Sequence, residues 1–377
     1  MKPTAALFST NFLEYSQTFV HDELRSHQRW QVEVFCAKRL NPQRFDWPAV
    51  HVAGPQYSLS MCSPSFDRAF KSGRFSLVHG HFGPGSLYAM RYAKRYGLPL
   101  LCTFHGYDVP LLRSDRRLRP AHWRYALLAP MLLRNISLAL CASTELREMV
   151  VEYGVADDRA VVHRLGVDLE RFKPIDRAPN PRPQLIQIGR FVEKKAYPTT
   201  LRALHQLLQR GQDAQLTIIG SGSAAEREPI ESLVRSLGLQ DHVHFAGILS
   251  AQEVATRLAN ADLLLCPSAT AADGDRESGV IVIKEAAACG VPCVATWHGG
   301  IPEIVDDGVT GFLVPERDSE ALAERIERLL LNPERRREMG RAARKKIETE
   351  YDLRDAGERL ESLYELAVER HRRTRSA

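Results

Sequence analysis

Short runs of β-branched or apolar residues alternate with longer amphipathic stretches along this chain, and the alternation occurs twice, on either side of a proline-rich segment. A strand can be apolar at nearly every position only if both its faces are covered, and a helix between successive strands makes those strands parallel. In the first half, candidate strands 3–8 (PTAALF), 31–36 (QVEVFC), 75–79 (FSLVH), 99–104 (PLLCTF) and 136–141 (ISLALC) alternate with candidate helices 18–28, 85–96, 119–133 and 143–153. Ser143 or Thr144 supplies the N-cap of the last of these. In the second half, candidate strands 184–189, 214–219, 242–245, 261–265, 291–295 and 311–314 alternate with helices. One helix, 250–259, opens with a capping box of Ser250 and Glu253, and another starts at Asn332 with Pro333 in its first position. Residues 172–183, FKPIDRAPNPRP, hold four prolines and no periodicity.

This pattern predicts an α/β protein of two Rossmann-like parallel-sheet domains, 1–173 and 184–350, joined by a linker at 174–183. A ligand is expected in the cleft that the carboxyl ends of both sheets face. The last 45 or so residues, rich in Arg and Glu, read as a solvated outer layer of charged helices, the final one, about 353–377, packing back on the first domain.

The length of 377 residues exceeds what one core usually supports. A net charge of +5 is too weak to argue for a nucleic-acid partner. Seven cysteines, an odd number lying mostly in apolar runs, predict neither a disulfide framework nor a zinc site; Cys289 and Cys293 lack His or Cys partners nearby. The N-terminus has no apolar leader region, and no stretch approaches 18 apolar residues. The expectation is a cytoplasmic protein that does not span the membrane.

Chemistry is expected in the loops at the strands' carboxyl ends. After 184–189 comes GRFVEKKAYPTT, with Arg190 and Lys195 ahead of a helix; after 214–219 comes GSGSAA; after 261–265 comes DGDRESGVIVIKEAAACGVP, with Glu277 and Glu285. Two cations, a glycine turn and a helix N-terminus suit a diphosphate. A carboxylate accepting two O–H groups suits a ribose diol. The two glutamates are eight residues apart, and on a helix that leaves them about 80° from a shared face, so they do not simply sit side by side. Plainer readings remain for each feature. Glu277 and Glu285 can be surface charges, and Arg190 and Lys195 a solvated loop. His79, His81 and His105 can be strand-end packing or a metal trio. The run RSDRRLRPAHWR, 113–124, is either a solvated helix start or a basic lip for anionic lipid headgroups or a lipid diphosphate. The D-x-D at Asp273 and Asp275 is read as a loop, with no metal site expected. GSGSAA, with Asp241 about twenty residues on, also fits an NAD-dependent dehydrogenase, and an inactive partner subunit of a transferase is a third reading.

The motifs GRFVEKKAYPTTLRAL, IIGSGS, ESGVIVIKEAAACGVPCVAT and GGIPEIVDDGVTGFLVPERDSEALAERI resemble, in order and spacing, the C-terminal half of family 4 retaining glycosyltransferases of GT-B fold. The N-terminal YSQTFVHDEL, VHGHFG and TFHGYDV are similar to the branch that builds bacterial exopolysaccharides of the colanic acid and amylovoran type. The resemblance implies transfer of a hexose from a UDP- or GDP-sugar, without metal or other cofactor. The acceptor it implies is a saccharide, lipid-linked, at the inner face of the cell membrane. It implies that Arg190 and Lys195 meet the diphosphate, Glu285 the ribose, and Glu277 the transferred sugar, with the N–H groups of Ser278, Gly279 and Val280 between them. Gly189, Gly220 and Ile281 complete the donor site, and His105 lies by the sugar. Ser16, Thr18, His81, Asp108, Arg116 and Arg117 fall on the acceptor side, Asp108 and Gly106 shaping the loop of His105. Two positions depart from the family. Gly279 and Val280 stand where it often has an aromatic residue and then Gly or Pro, and Ala196 replaces a common Gly, which is expected to remove access to positive φ.

Overall fold

The computed structural model describes residues 2–54, 57, 61–119 and 122–376, with the side chains of Arg116 and Ser376 outside that description. The chain divides into two compact units. One comprises Met1–Gly166 together with Leu353–Ala377, the other Val167–Asp352.

The first unit is built on a parallel sheet of seven strands: β1 (Thr4–Phe12), β2 (Gln31–Arg39), β3 (Val50–Val52), β4 (Phe75–His81), β5 (Leu100–Phe104), β6 (Leu138–Cys141) and β7 (Ala160–Val162). Their order is β3-β2-β1-β4-β5-β6-β7. Alternate residues of a strand point to opposite faces. Ala6 and Phe8 therefore enter a core with Phe35, Phe66 and Tyr92, while Ala5 and Leu7 enter another with Val34, Trp30 and Tyr364. Phe8 stacks on Phe35 with ring centroids 5.1 Å apart. The edge strands β3 and β7, three residues each, are too short to carry a readable pattern. The helix expected at 119–133 starts instead at Trp123 and runs to Asn135, preceded by a 3-10 turn over Asp115–Leu118; residues 120 and 121 lie outside the described residues.

The C-terminal helix Leu353–Ser376 is more than a solvated layer. Leu360, Tyr364 and Ala367 are fully buried. Glu361 is also at 0% exposure, and one of its oxygens accepts the N–H groups of Gln28, Arg29 and Trp30 at 2.8, 2.7 and 2.9 Å. The helix belongs to the first unit, on which the sequence reading expected it to pack, and its dense exposed charge hid only which residues form the buried stripe.

The second unit holds a parallel sheet of six: β8 (Gln184–Ile188), β9 (Gln215–Ile219), β10 (Val243–Gly247), β11 (Leu263–Cys266), β12 (Cys293–Thr296) and β13 (Gly311–Val314), in the order β10-β9-β8-β11-β12-β13. Ile186 and Leu264 face one core, and Leu185, Leu263 and Leu265 the other. In both sheets the chain winds outward from the starting strand, then returns to that strand's other side. The switch points lie between β1 and β4 in the first and between β8 and β11 in the second. At such points the flanking loops diverge and leave a crevice at the strands' carboxyl ends. All seven cysteines are free thiols.

Candidate active site

The loops after β8 and β11 flank the second sheet's switch point, and they carry Arg190, Lys195 and Glu277. Gly220, after β9, has φ +145°, and a Cβ there would lie 1.9 Å from the Gly189 carbonyl oxygen. This glycine is required by backbone meeting backbone, whichever ligand is considered. The same Gly189 oxygen accepts the Tyr197 hydroxyl at 2.7 Å, which ties the loop to helix Tyr197–Gln209.

Lys195 Nζ pairs with Glu277 Oε1 at 2.7 Å, their side chains 15% and 11% exposed. Burial by itself would raise the Glu277 carboxyl. Lys195, helped by Lys194, outweighs it and holds that carboxyl at about 2. Burial likewise works against the charge on Lys195, and Glu277 more than restores it, so the ammonium titrates above its ordinary range. Both groups are charged across the whole neutral range. Arg190 is exposed on the same loop, where its charge is felt by both Lys195 and Glu226. Lys195 follows directly into Ala196, whose φ of +48° corrects the expectation that alanine forbids the left-handed conformation. The hydrogen bond from Ala196 N–H to the Glu193 carbonyl (2.9 Å) and the buried Tyr197 next to it hold the turn against a cost of about 1 kcal/mol.

The backbone of Glu277 is held from behind. Its N–H donates to His298 Nε2 at 3.0 Å, and His298 Nδ1–H donates to Glu316 at 2.6 Å. Glu316 in turn accepts the Thr270 N–H at 2.9 Å. An imidazole that accepts at Nε2 must donate at Nδ1, so His298 has one tautomer. Of the three amides assigned to the diphosphate, that of Val280 is taken by the Ser278 carbonyl at 3.0 Å. This corrects its part in the expected cradle. Ser278 is buried, and Ile281 opens helix Ile281–Ala288. Glu285, in that helix, is 8% exposed and contributes, after burial itself, to raising the Cys289 thiol to about 12. Its neighbour Lys284 is 1% exposed, with Nζ 4.6 Å from the Tyr351 ring centroid. Asp275 pairs with Lys194 at 3.0 Å, and Asp273 accepts the Asp275 N–H at 3.1 Å, so the D-x-D is occupied in holding its own loop.

The carboxyl ends of the first sheet gather histidines. His105 follows β5, with Phe82 4.4 Å and Phe19 5.0 Å from it between ring centroids. His81 ends β4 and is 0% exposed, with Nδ1 3.1 Å from His105 Nε2. It supports His105 from behind, a correction to its expected place at the acceptor. Asp108, also at 0%, accepts the N–H groups of Gly83 at 3.0 Å and Gly106 at 3.1 Å, and burial raises its carboxyl to about 6. It fixes the His105 loop and presents no face to an acceptor. Ser16 is exposed in a turn, Thr18 begins helix Thr18–Ser26, and Arg117 is exposed. The Arg116 side chain lies outside the described residues.

The sequence reading missed Glu23, His163, Lys194, His298 and Glu316. Glu23 left a trace: it is buried with Val20 and Leu24 on the inward stripe of its helix, where a carboxylate needs a reason. Glu23, His79 and His81 bring ligand-type atoms within 4.8 Å of one another. Both His79 nitrogens, however, are engaged at 2.7 Å, one with Tyr364 and one with Thr103.

A family model for glycosyl transferases group 1 matches residues 168–346, and one for glycosyltransferase family 4 matches residues 18–171. The chain is 31% identical over 295 residues to a protein named colanic acid biosynthesis glycosyltransferase WcaL from Escherichia coli (strain K12), covering 77% of this chain and 70% of that one. It is 31% identical over 290 residues to the amylovoran biosynthesis glycosyltransferase AmsK of Erwinia amylovora, covering 77% and 69%. Among solved structures it is similar to Anabaena HepE in complex with UDP, with a TM-score of 0.78 at 19% identity over 96% of this chain and 99% of that one. It is also similar to sucrose-phosphate synthase from Thermosynechococcus elongatus, with a TM-score of 0.76 at 22% identity over 97% and 99%. At such identities the structural likeness speaks for the fold.

Proposed function

The chain belongs to the family 4 glycosyltransferases of GT-B fold, related to exopolysaccharide synthesis enzymes, and from that premise we propose that it moves a hexose, with retention, from a UDP- or GDP-sugar to a lipid-linked saccharide. The observation that carries this reading is the Lys195–Glu277 pair, at 2.7 Å, beside Arg190 at the second sheet's switch point. A glycosyl transfer breaks the bond between the anomeric carbon and the diphosphate oxygen and forms one to the acceptor oxygen. Negative charge grows on the leaving diphosphate and positive charge on the sugar. Arg190 and Lys195 are cations placed for the first, and Glu277 is an anion placed for the second. Retention follows if the acceptor attacks the face that the diphosphate leaves, its hydroxyl proton passing to the departing phosphate oxygen. Glu285 takes the ribose hydroxyls. Two fixed positive charges neutralise a diphosphate as a divalent cation would, so turnover is expected to survive a chelator. The decisive experiment incubates the protein and EDTA with UDP- and GDP-hexoses and lipid-linked saccharides and follows nucleotide release. No release from any donor refutes the reading, and release only with added manganese refutes its metal-free form.

The lipid part rests on helix Trp123–Asn135. Trp123, Leu127 and Met131, four residues apart and so on one face, are 49%, 67% and 39% exposed, and Leu118 is 73% exposed. Arg117 and Arg119 are exposed beside them, and the Arg124 guanidinium lies 5.7 Å from the Trp123 ring centroid. Apolar side chains ringed by cations suit an anionic bilayer surface. Trp123→Ala with Leu127→Ala should abolish sedimentation with phosphatidylglycerol vesicles while leaving nucleotide affinity intact; undiminished sedimentation removes the membrane from the proposal.

A further inference from the structure

The carboxylate of Glu23, a residue 5% exposed, lies between two imidazoles. His81 Nε2 is 3.2 Å from one of its oxygens and His163 Nε2 is 3.8 Å from the other. This 3.2 Å approach is an ion-pair contact outside hydrogen-bond geometry, and the carboxylate charge still favours a proton on the His81 nitrogen that faces it, Nε2. The other His81 nitrogen, Nδ1, lies 3.1 Å from His105 Nε2. Where the Nε2 proton is the only proton on His81, Nδ1 accepts and His105 Nε2–H donates. His105 is then left with its lone pair on Nδ1, an atom that is buried and has no hydrogen-bond partner among the described residues. A buried acceptor without a donor is costly until a donor arrives.

The other groups around the cluster do not compete for this arrangement. Both His79 nitrogens are taken by Tyr364 and Thr103, Asp108 holds the Gly83 and Gly106 amides, and the tilted rings of Phe19 and Phe82 carry no hydrogen-bonding atom. Burial drives His105 well below the ordinary histidine range, so it has one proton to place.

We propose that Glu23 is a positioning residue which, through His81, holds His105 in the single tautomer that presents Nδ1 as acceptor to a saccharide hydroxyl. This rests on the glycosyltransferase reading of the site. It goes beyond that reading in naming the buried carboxylate that sets the acceptor and the atom that uses it. No proton need be transferred: the hydroxyl donates a hydrogen bond, and the Glu23 charge, 3.2 Å from His81, favours this direction.

Long-range proton–nitrogen NMR on the full-length protein labelled with ¹⁵N-histidine reads tautomers directly, the His105 signals being assigned by their loss in His105→Gln. The expected result is His105 protonated at Nε2 near neutral pH. A proton on Nδ1, or a doubly protonated ring, overturns the proposal, and because this is a wild-type measurement no variant needs to fold. In Glu23→Gln the side-chain amide can offer His81 either a donor or an acceptor. His105 should then become a mixture of tautomers and kcat should fall at least about tenfold, with UDP or GDP affinity unchanged. An unmixed tautomer or unchanged kcat in that variant overturns it. If hydrolysis of the nucleotide sugar without acceptor falls in parallel, the hydroxyl belongs to the donor sugar; if only transfer falls, it belongs to the acceptor. A divalent metal that copurifies stoichiometrically and is lost in Glu23→Gln also overturns the proposal, by making the carboxylate a ligand. A wild type inert toward every nucleotide sugar, or a fully active His105→Gln, strikes the functional reading instead, and the tautomer spectrum then judges the Glu23 assignment alone.

Discussion

Each of the two sheets collects ionisable groups at its carboxyl end, but the two collections differ in kind. The second unit sets permanent charges against each other: Lys195 against Glu277 at 2.7 Å and Lys194 against Asp275 at 3.0 Å, with Arg190 exposed beside them. The first unit gathers imidazoles around one carboxylate, with Glu23, His81 and His163 buried and His105 next to them. Fixed charges suit a ligand whose charge is large and constant, such as a diphosphate. Imidazoles with set tautomers suit neutral hydroxyls, where the direction of a hydrogen bond matters more than net charge. The proposed function calls for both kinds of surface, and each unit carries one of them.

The strongest way to break this contrast is Lys195→Met. It leaves Glu277 without its main counter-charge, so the carboxyl should titrate well above its present value of about 2. Stability should drop by about 3 kcal/mol, and transfer should fall by at least about a hundredfold through loss of charge stabilisation at the diphosphate. Thermal unfolding beside kcat/KM decides it; near-wild-type values for both would mean that Lys195 is a solvated lysine.

Next in size is the difference between the two glutamates. Glu285→Gln should cost about 1–3 kcal/mol in binding of free UDP or GDP and of the whole donor, since a charged acceptor of the ribose hydroxyls becomes a weaker one. Glu277→Gln should leave free nucleotide affinity nearly intact and lower kcat/KM, because the contact proposed between Glu277 and the sugar would strengthen as positive charge develops. Calorimetry with the nucleotide alone separates the two. Equal weakening by both would end the division of labour.

The last difference is in pH, and its sign differs between the units. Glu277 falls from its ordinary 4.5 to about 2 in the fold, so it contributes stability that is full above about 4.5 and is lost as pH falls toward 2. Asp108 rises from 3.8 to about 6. Its carboxylate form is the one disfavoured by folding, so its contribution weakens stability as pH rises from about 4 to 6. Relative to wild type, Glu277→Gln should be most destabilised above pH 4.5, and Asp108→Asn should improve between pH 4 and 6. Parallel stability curves for both variants and wild type would refute the assignment of these shifts.

Where each feature became legible follows from its physics. The strand–helix alternation, the switch-point loops and the positions of Arg190, Lys195, Glu277 and Glu285 were readable because each depends on neighbours in sequence. The three-residue edge strands escaped because a pattern needs length, and the first half's helix at Trp123 was placed too early because 3-10 turns and arginines resemble a helix start. The buried stripe of Leu353–Ser376 hid under its exposed charges. His298 and Glu316 were missed because they reach Glu277 from 21 and 39 residues away in the sequence, and nothing local records that approach.

By itself the sequence determined the fold class, the double parallel sheet and the type of residue at each strand end, because hydrophobic periodicity and turn chemistry are local and every parallel strand must be covered. Only the tertiary structure decided which charges meet. Whether Glu277 faces Lys195, whether Glu23 finds His81, and whether Val280's amide is free or bound to Ser278 depend on separations of a few ångströms between loops. Electrostatic and hydrogen-bond energies change steeply over such distances. Ala196 shows the same limit in the backbone: its alanine disfavours positive φ locally, and the surrounding loop imposes it.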